Sequence, residues 1–194
     1  MSIITTTQLR GFRNTTRTFS KSINESLNEF FGESKTGKVT IFLSHKHDEK
    51  EDLDGAISLL KRFGVDVYVD WQDTGMPMRS SGVTAKRIKE KIKENKKFIF
   101  LATEGAISSK WCNWELGLGD AEKYLNNIAF LPVRKDNQTF SGSEYMQIYP
   151  SIEYENGTSK TVGGTFISEG YYVFQPPDEE GNRKFVSLTW WLSQ

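Results

Sequence analysis

The sequence predicts an α/β domain, a doubly wound parallel sheet with helices on both faces. A helical piece precedes it and a β-rich extension follows. Three observations carry this. Between residues 38 and 133, short apolar, β-branched runs alternate with amphipathic stretches of helical period. The connections are long enough for crossover helices, so the strands must run parallel. Beyond residue 135, helical periodicity fades and turn signals appear at Asn156-Gly157 and Glu180-Gly181.

The elements follow in order. Residues 6–32 place Leu9, Phe12, Phe19, Ile23, Leu27 and Phe30/Phe31 at roughly helical spacing, in one or two pieces. "GESKTGK" (32–38) is a polar linker. "KVTIFLS" (38–44) has the composition of a strand buried on both faces. "EKEDLDGAISLLKRF" (49–63) is a helix with an acidic first turn and a basic last turn, capped by Gly64. "VDVYVD" (65–70) is a strand, and "WQDTGMPMRSSG" (71–82) a loop. A helix over 83–96, a strand over 97–103, a helix over 109–125 and a strand over 128–133 complete the alternation. The C-terminal residues read as a final sheet strand, a hairpin, and a docked terminus carrying Trp190 and Trp191. The expected division is 1–37 as helical extension and linker, 38–150 as the main domain, and 151–194 as a C-terminal extension packed on it.

Composition removes several function classes. Among 194 residues, Lys+Arg and Asp+Glu both number 25, so no net charge argues for nucleic acid or an anionic membrane as partner. One cysteine cannot form an internal disulfide, no stretch approaches the ~20 apolar residues of a membrane span, and the N-terminus lacks a signal-peptide core. A cytoplasmic protein is expected. No Gly-x-Gly-x-x-Gly follows the first strand, so a Rossmann oxidoreductase is unsupported, and no Gly-x-Ser-x-Gly elbow supports a serine hydrolase. His45 and His47 beside Asp48 hint at a metal, but no second cluster completes a site, so none is expected. The basic run over 86–97 alternates with glutamate and reads as a solvated helix face.

The segment "SSKWCNWELGLGDAEKY" (108–124) is the most distinctive. At ~100° per residue, Trp114, Leu118, Ala121 and Leu125 share a narrow arc that should face the sheet. Trp111 lies at one edge of that arc, and Glu115 roughly 80° from its centre by the same arithmetic. Gly117 and Gly119 each weaken the helix by ~1 kcal/mol relative to alanine, which predicts close approach of another group. Pattern alone leaves open whether Glu115 does chemistry or complements the helix dipole. Cys112 reads as a small packing residue.

Two segments carry a family resemblance. "VTIFLSHKHDEKEDLDGAISLLKRFGVDVYVDWQDTGMPM" resembles the opening of a Toll/interleukin-receptor (TIR) domain. "SSKWCNWEL" resembles the Ser-x-Trp-Cys-x-x-Glu-Leu element of plant and bacterial members, at the same place after the third strand. The resemblance covers about 38–133 and implies a flavodoxin-like sheet. Some members of the family are adaptors; others cleave nicotinamide from NAD, which is then substrate rather than cofactor. In the enzymes the glutamate matched by Glu115 is essential, and the matched Trp111 lies near the substrate. The resemblance further implies ribose or phosphate contacts for Ser44, His45 and Lys46. It also implies that the loop beginning Asp70-Trp71 gates the pocket and, over 71–82, joins copies of the domain.

One carboxylate can suffice for such chemistry. Nicotinamide in NAD is a cationic pyridinium that leaves as a neutral molecule, so the general acid of O-glycosidases is unnecessary. What remains is to stabilise an oxocarbenium-like ribose. A TIR domain with small extensions resembles the sensors of anti-phage systems such as Thoeris, in which an NAD-derived messenger reaches a companion effector. The rival expectations are a non-catalytic interaction module and a nucleoside or nucleotide N-glycosidase.

Overall fold

Alternation along the central strands decides the architecture. In β2 (Thr40–Ser44), Ile41 and Leu43 face one side while Phe42 and Ser44 face the other. In β4 (Lys97–Ala102), Ile99 and Leu101 oppose Phe98, Phe100 and Ala102. In β5 (Ile128–Arg134), Ala129, Leu131 and Val133 oppose Ile128 and Phe130. One face of the sheet is therefore aliphatic and the other largely aromatic. Phe42 stacks on Phe98 at 5.6 Å, and Phe100 meets Phe130 at 5.1 Å.

The computed structural model describes residues 2–13, 38–70 and 82–194. Among them, the chain order is β1 (Ile4–Thr5), α1 (Thr6–Arg10), β2, α2 (Lys50–Lys61), β3 (Asp66–Tyr68), α3 (Gly82–Glu94), β4, α4 (Glu104–Ile107), α5 (Lys110–Lys123) and β5. Then come β6 (Ser151–Glu155), β7 (Gly170–Phe174), β8 (Phe185–Ser187) and α6 (Leu188–Ser193). The sheet order is β3-β2-β4-β5-β6-β7-β8, with β1 pairing β5. Pairs from β3 through β6 are parallel, and β7 and β8 join antiparallel. Numbered within the parallel part, this is the 2-1-3-4-5 order of flavodoxin-like sheets, whose order reverses between β2 and β4. A ligand belongs at the carboxyl ends of those strands.

The aliphatic face is covered by α1, α2 and α6. Leu9 of α1 packs so closely that a Cβ on Gly55 of α2 would overlap the Leu9 carbonyl. The expected helical positions at Phe19, Ile23, Leu27 and Phe30/Phe31 lie outside the described residues. At the C-terminus, β6 and the β7–β8 hairpin continue the same sheet, as the turn signals predict, and the docked terminus is the helix α6. Trp191 is buried, whereas Trp190 is 53% exposed. Lys97, at the end of the basic run, departs from the expected solvated face. It is fully buried, its ammonium 4.5 Å from the Trp191 ring and 2.7 Å from Asn127 Oδ1, and burial lowers its pKa to about 8.

The aromatic face is covered by α3 and α5, and here the expected orientation of α5 is wrong. The buried residues of α5 are Cys112, Glu115, Leu116, Gly119 and Lys123. Ala121 and Leu125 are exposed, and Trp114 turns toward α3, 5.9 Å from Lys89 Nζ. The cause is Gly119. A Cβ there would lie 2.7 Å from the buried Phe98 ring, so the bare backbone is what admits that ring. The stripe facing the sheet is small and polar, which an apolar periodicity cannot find. Gly117 faces open space, and the structure offers no account of it.

The two glycines predict opposite stability effects in denaturant unfolding. Gly119→Ala should destabilise by about 1–3 kcal/mol through overpacking against Phe98. Gly117→Ala should stabilise by up to ~1 kcal/mol through helix propensity.

Candidate active site

The site lies where the sheet order reverses. Ser44 ends β2, and its place in the alternation turns its side chain to the α5 face. Its hydroxyl donates to Glu115 Oε2 at 2.6 Å. Both are nearly sealed from solvent, Ser44 at 1% and Glu115 at 2% exposure. Short contacts hold α5 in this position. Ser109 caps it by accepting the Cys112 N–H, the Cys112 thiol donates to the His45 carbonyl at 3.2 Å, and the Tyr145 hydroxyl donates to Asn113 Oδ1 at 2.6 Å.

Burial pushes the Glu115 carboxyl well above its ordinary range, and the neighbouring Asp70 charge adds to the rise. Hydrogen bonds from Ser44 and Trp111 work in the opposite sense. Trp111 is half-buried one turn before Glu115 and packs on Trp114, ring centroids 4.9 Å apart.

Asp70 follows β3, the strand beside β2, and is buried. His47 Nε2 lies 2.9 Å from Asp70 Oδ2, and His45 Nε2 lies 3.9 Å from Asp70 Oδ1. The hydrogen bond to Asp70 raises the His47 pKa, whereas burial lowers that of His45. Glu49 is a further acid. Its carboxyl accepts the Thr103 hydroxyl, and burial raises its pKa. The Cys112 thiol, pushed up to about 12 chiefly by burial, also feels Glu115, Asp70 and Glu49. Among the described residues the centre of the site is therefore acidic and buried, and it suits a ligand whose reacting part is cationic.

Of the expected site residues, Ser44, His45, Asp70, Trp111 and Glu115 lie together. Lys46 stands at the margin, half-exposed and paired with Asp48 at 3.2 Å. Trp71 and the remainder of the loop up to residue 81 lie outside the described residues. Glu49 and Thr103 were not expected. Glu49 was read as the start of a helix, and only the approach of β4 to β2 shows it to be part of the site.

The sequence model of the TIR domain matches residues 41–160, more than half of the chain. The chain belongs to the TIR domain family. A relative from Bacillus cereus (strain MSX-D12), named a probable 3' cyclic ADP-D-ribose synthase ThsB', is 34% identical over 116 residues. The match spans 58% of this chain and 59% of that protein's length. The TIR match runs past β6, consistent with the parallel sheet extending to that strand. Among the described residues, no helix is long and apolar enough to cross a membrane.

A carboxyl with a raised folded-state pKa holds its proton more tightly in the folded than in the unfolded TIR domain. The stability from that difference is complete below the unfolded pKa and is lost as pH rises toward the folded value. Glu115→Gln does not titrate. Its melting temperature relative to wild type should therefore climb as pH rises through and above the ordinary carboxylate range, measured by calorimetry with chelator present. A constant difference across that range would refute the raised pKa.

Proposed function

We propose that this TIR domain cleaves the bond between nicotinamide and ribose in NAD+ and closes the remaining ADP-ribose into a cyclic signal for anti-phage defence, read by a companion effector. The observation that carries the reading is the Ser44–Glu115 pair, buried at the switch point beside Trp111. The name of the Bacillus cereus relative supports the cyclic product.

The geometry supports the following chemistry. The electron pair of the C–N bond leaves with the pyridinium nitrogen, so nicotinamide departs neutral and C1' of the ribose takes on the positive charge. Glu115 stabilises that charge electrostatically, in a setting where solvent screening is weak. A cation in the pocket also favours the ionised form of Glu115 against burial and Asp70. Ser44 holds the carboxylate in place and supports the charged form by donating to it. A hydroxyl of the same ADP-ribose then bonds to C1' and gives up its proton, which completes the balance: NAD+ yields cyclic product, nicotinamide and a proton. Trp111 provides an aromatic wall at the margin of this chemistry.

The test is incubation of concentrated protein with NAD+, alone and in extract of phage-infected cells, with products separated by chromatography and weighed by mass spectrometry. The expected outcome is nicotinamide together with a product lighter than ADP-ribose by one water. Glu115→Ala should lower the rate by ~10²-fold or more, and Ser44→Ala by ~10-fold, in line with the loss of a buried electrostatic partner and of a hydrogen bond to it. Undiminished turnover by Glu115→Ala would overturn the assignment.

A further inference from the structure

We propose that His45, His47 and Asp70 form a binding site for a divalent transition-metal ion of the Zn²⁺ class. The three residues come from the carboxyl ends of adjacent strands. His45 and His47 belong to the turn after β2, and Asp70 follows β3. One ligand atom from each lies within 4.8 Å of the others.

The decisive observation is the imidazole of His45. The ring is 3% exposed, and its Nδ1 lies 3.1 Å from the Leu43 carbonyl, which can only accept. The proton therefore sits on Nδ1, and Nε2 presents a lone pair. That Nε2 is buried, has no hydrogen-bond partner among the described residues, and lies 3.9 Å from a carboxylate oxygen of Asp70. A buried imidazole lone pair without a donor is electrostatically unfavourable, and a cation shared with the nearby carboxylate satisfies it. The Nδ1–H···O=C bond is also the second contact that commonly fixes a metal-binding histidine.

The ligand chemistry narrows the ion. Two imidazoles and one carboxylate suit Zn²⁺, Co²⁺ or Ni²⁺, and not Mg²⁺ or Ca²⁺, which prefer all-oxygen sites. A tetrahedral ion with bonds of ~2.0–2.1 Å needs its ligand atoms about 3.3 Å apart. The present spacings bracket that value. His47 is exposed and already bonded to Asp70. Three protein ligands leave one position for water or a substrate oxygen. His45, His47 and Asp48 do not complete a site by themselves. Asp70, distant in sequence, is the missing member. An ion there would sit beside the carboxylate that neighbours Glu115, and its occupancy would change the charge of the pocket.

The test needs no turnover, so it stands or falls apart from NAD+ cleavage. Tag-free, chelator-washed full chain is titrated with Co²⁺, followed by visible absorption, and then with Zn²⁺ as competitor. The expected result is the intense absorption of four- or five-coordinate Co²⁺, saturating at a single ion per chain and abolished by Zn²⁺. The signal should be lost in His47→Asn, an exposed substitution whose retained fold is checked by circular dichroism, and in Asp70→Asn. The chain has only two histidines and one buried cysteine, so no other nitrogen–sulfur site can imitate this signal. No absorption in the wild type, or equal absorption in His47→Asn, would overturn the proposal.

Discussion

The structure depends on holding one carboxylate out of water. Glu115 is buried because α5 lies almost against the sheet, and α5 can do so because Gly119 admits the Phe98 ring. A larger residue at 119 would lift the helix and open the seam through which Ser44 reaches Glu115. The seam also explains the polar stripe of α5. Cys112 ties the helix to the His45 carbonyl, Glu115 meets Ser44, and Lys123 reaches the Asn95 and Lys93 carbonyls beyond the far end. Burying a carboxyl destabilises its charged form, so the fold holds a group whose ionisation is disfavoured until something cationic arrives.

That constraint selects the ligand. Asp70, Glu49 and Glu115 gather at one end of the sheet, with Lys46 half-exposed at the margin and engaged by Asp48. A phosphate at the centre of this group would be repelled, whereas a pyridinium ribose would be attracted. On the proposed reading, the anionic half of NAD+ would lie nearer the margin. The metal site proposed at His45, His47 and Asp70 draws on the same buried, acidic setting, in which His45 Nε2 has no hydrogen-bond partner among the described residues.

Much of the fold was legible because strands buried on both faces announce themselves by composition, and their alternation assigns each residue to a face. The buried face of α5 was misread because periodicity weighs apolar residues, and this helix turns Gly119, Glu115 and Lys123 inward while Ala121 and Leu125 face solvent. Asp70 and Glu115 were readable as candidates, yet their proximity to each other and to His45 depends on the pairing of β2 with β3. Glu49 and Thr103 meet only because β2 and β4 are neighbours. Local sequence holds no record of that adjacency. The terminal helix was visible as a docked segment, but not the burial of Lys97 under Trp191, since a lysine beside other lysines ordinarily faces water.

The most direct measurement of the central claim is the ionisation of Glu115 itself. Carbon-13 resonances of labelled glutamate carboxyls, with Glu115 assigned by difference from Glu115→Gln, can be followed through pH in chelator-washed protein. The titration is repeated with a non-cleavable NAD+ analogue that keeps the pyridinium charge. The account predicts a midpoint above the ordinary carboxylate range in the free protein, moving down when the cationic analogue binds. An ordinary midpoint in the free protein, or one indifferent to the analogue, would contradict it.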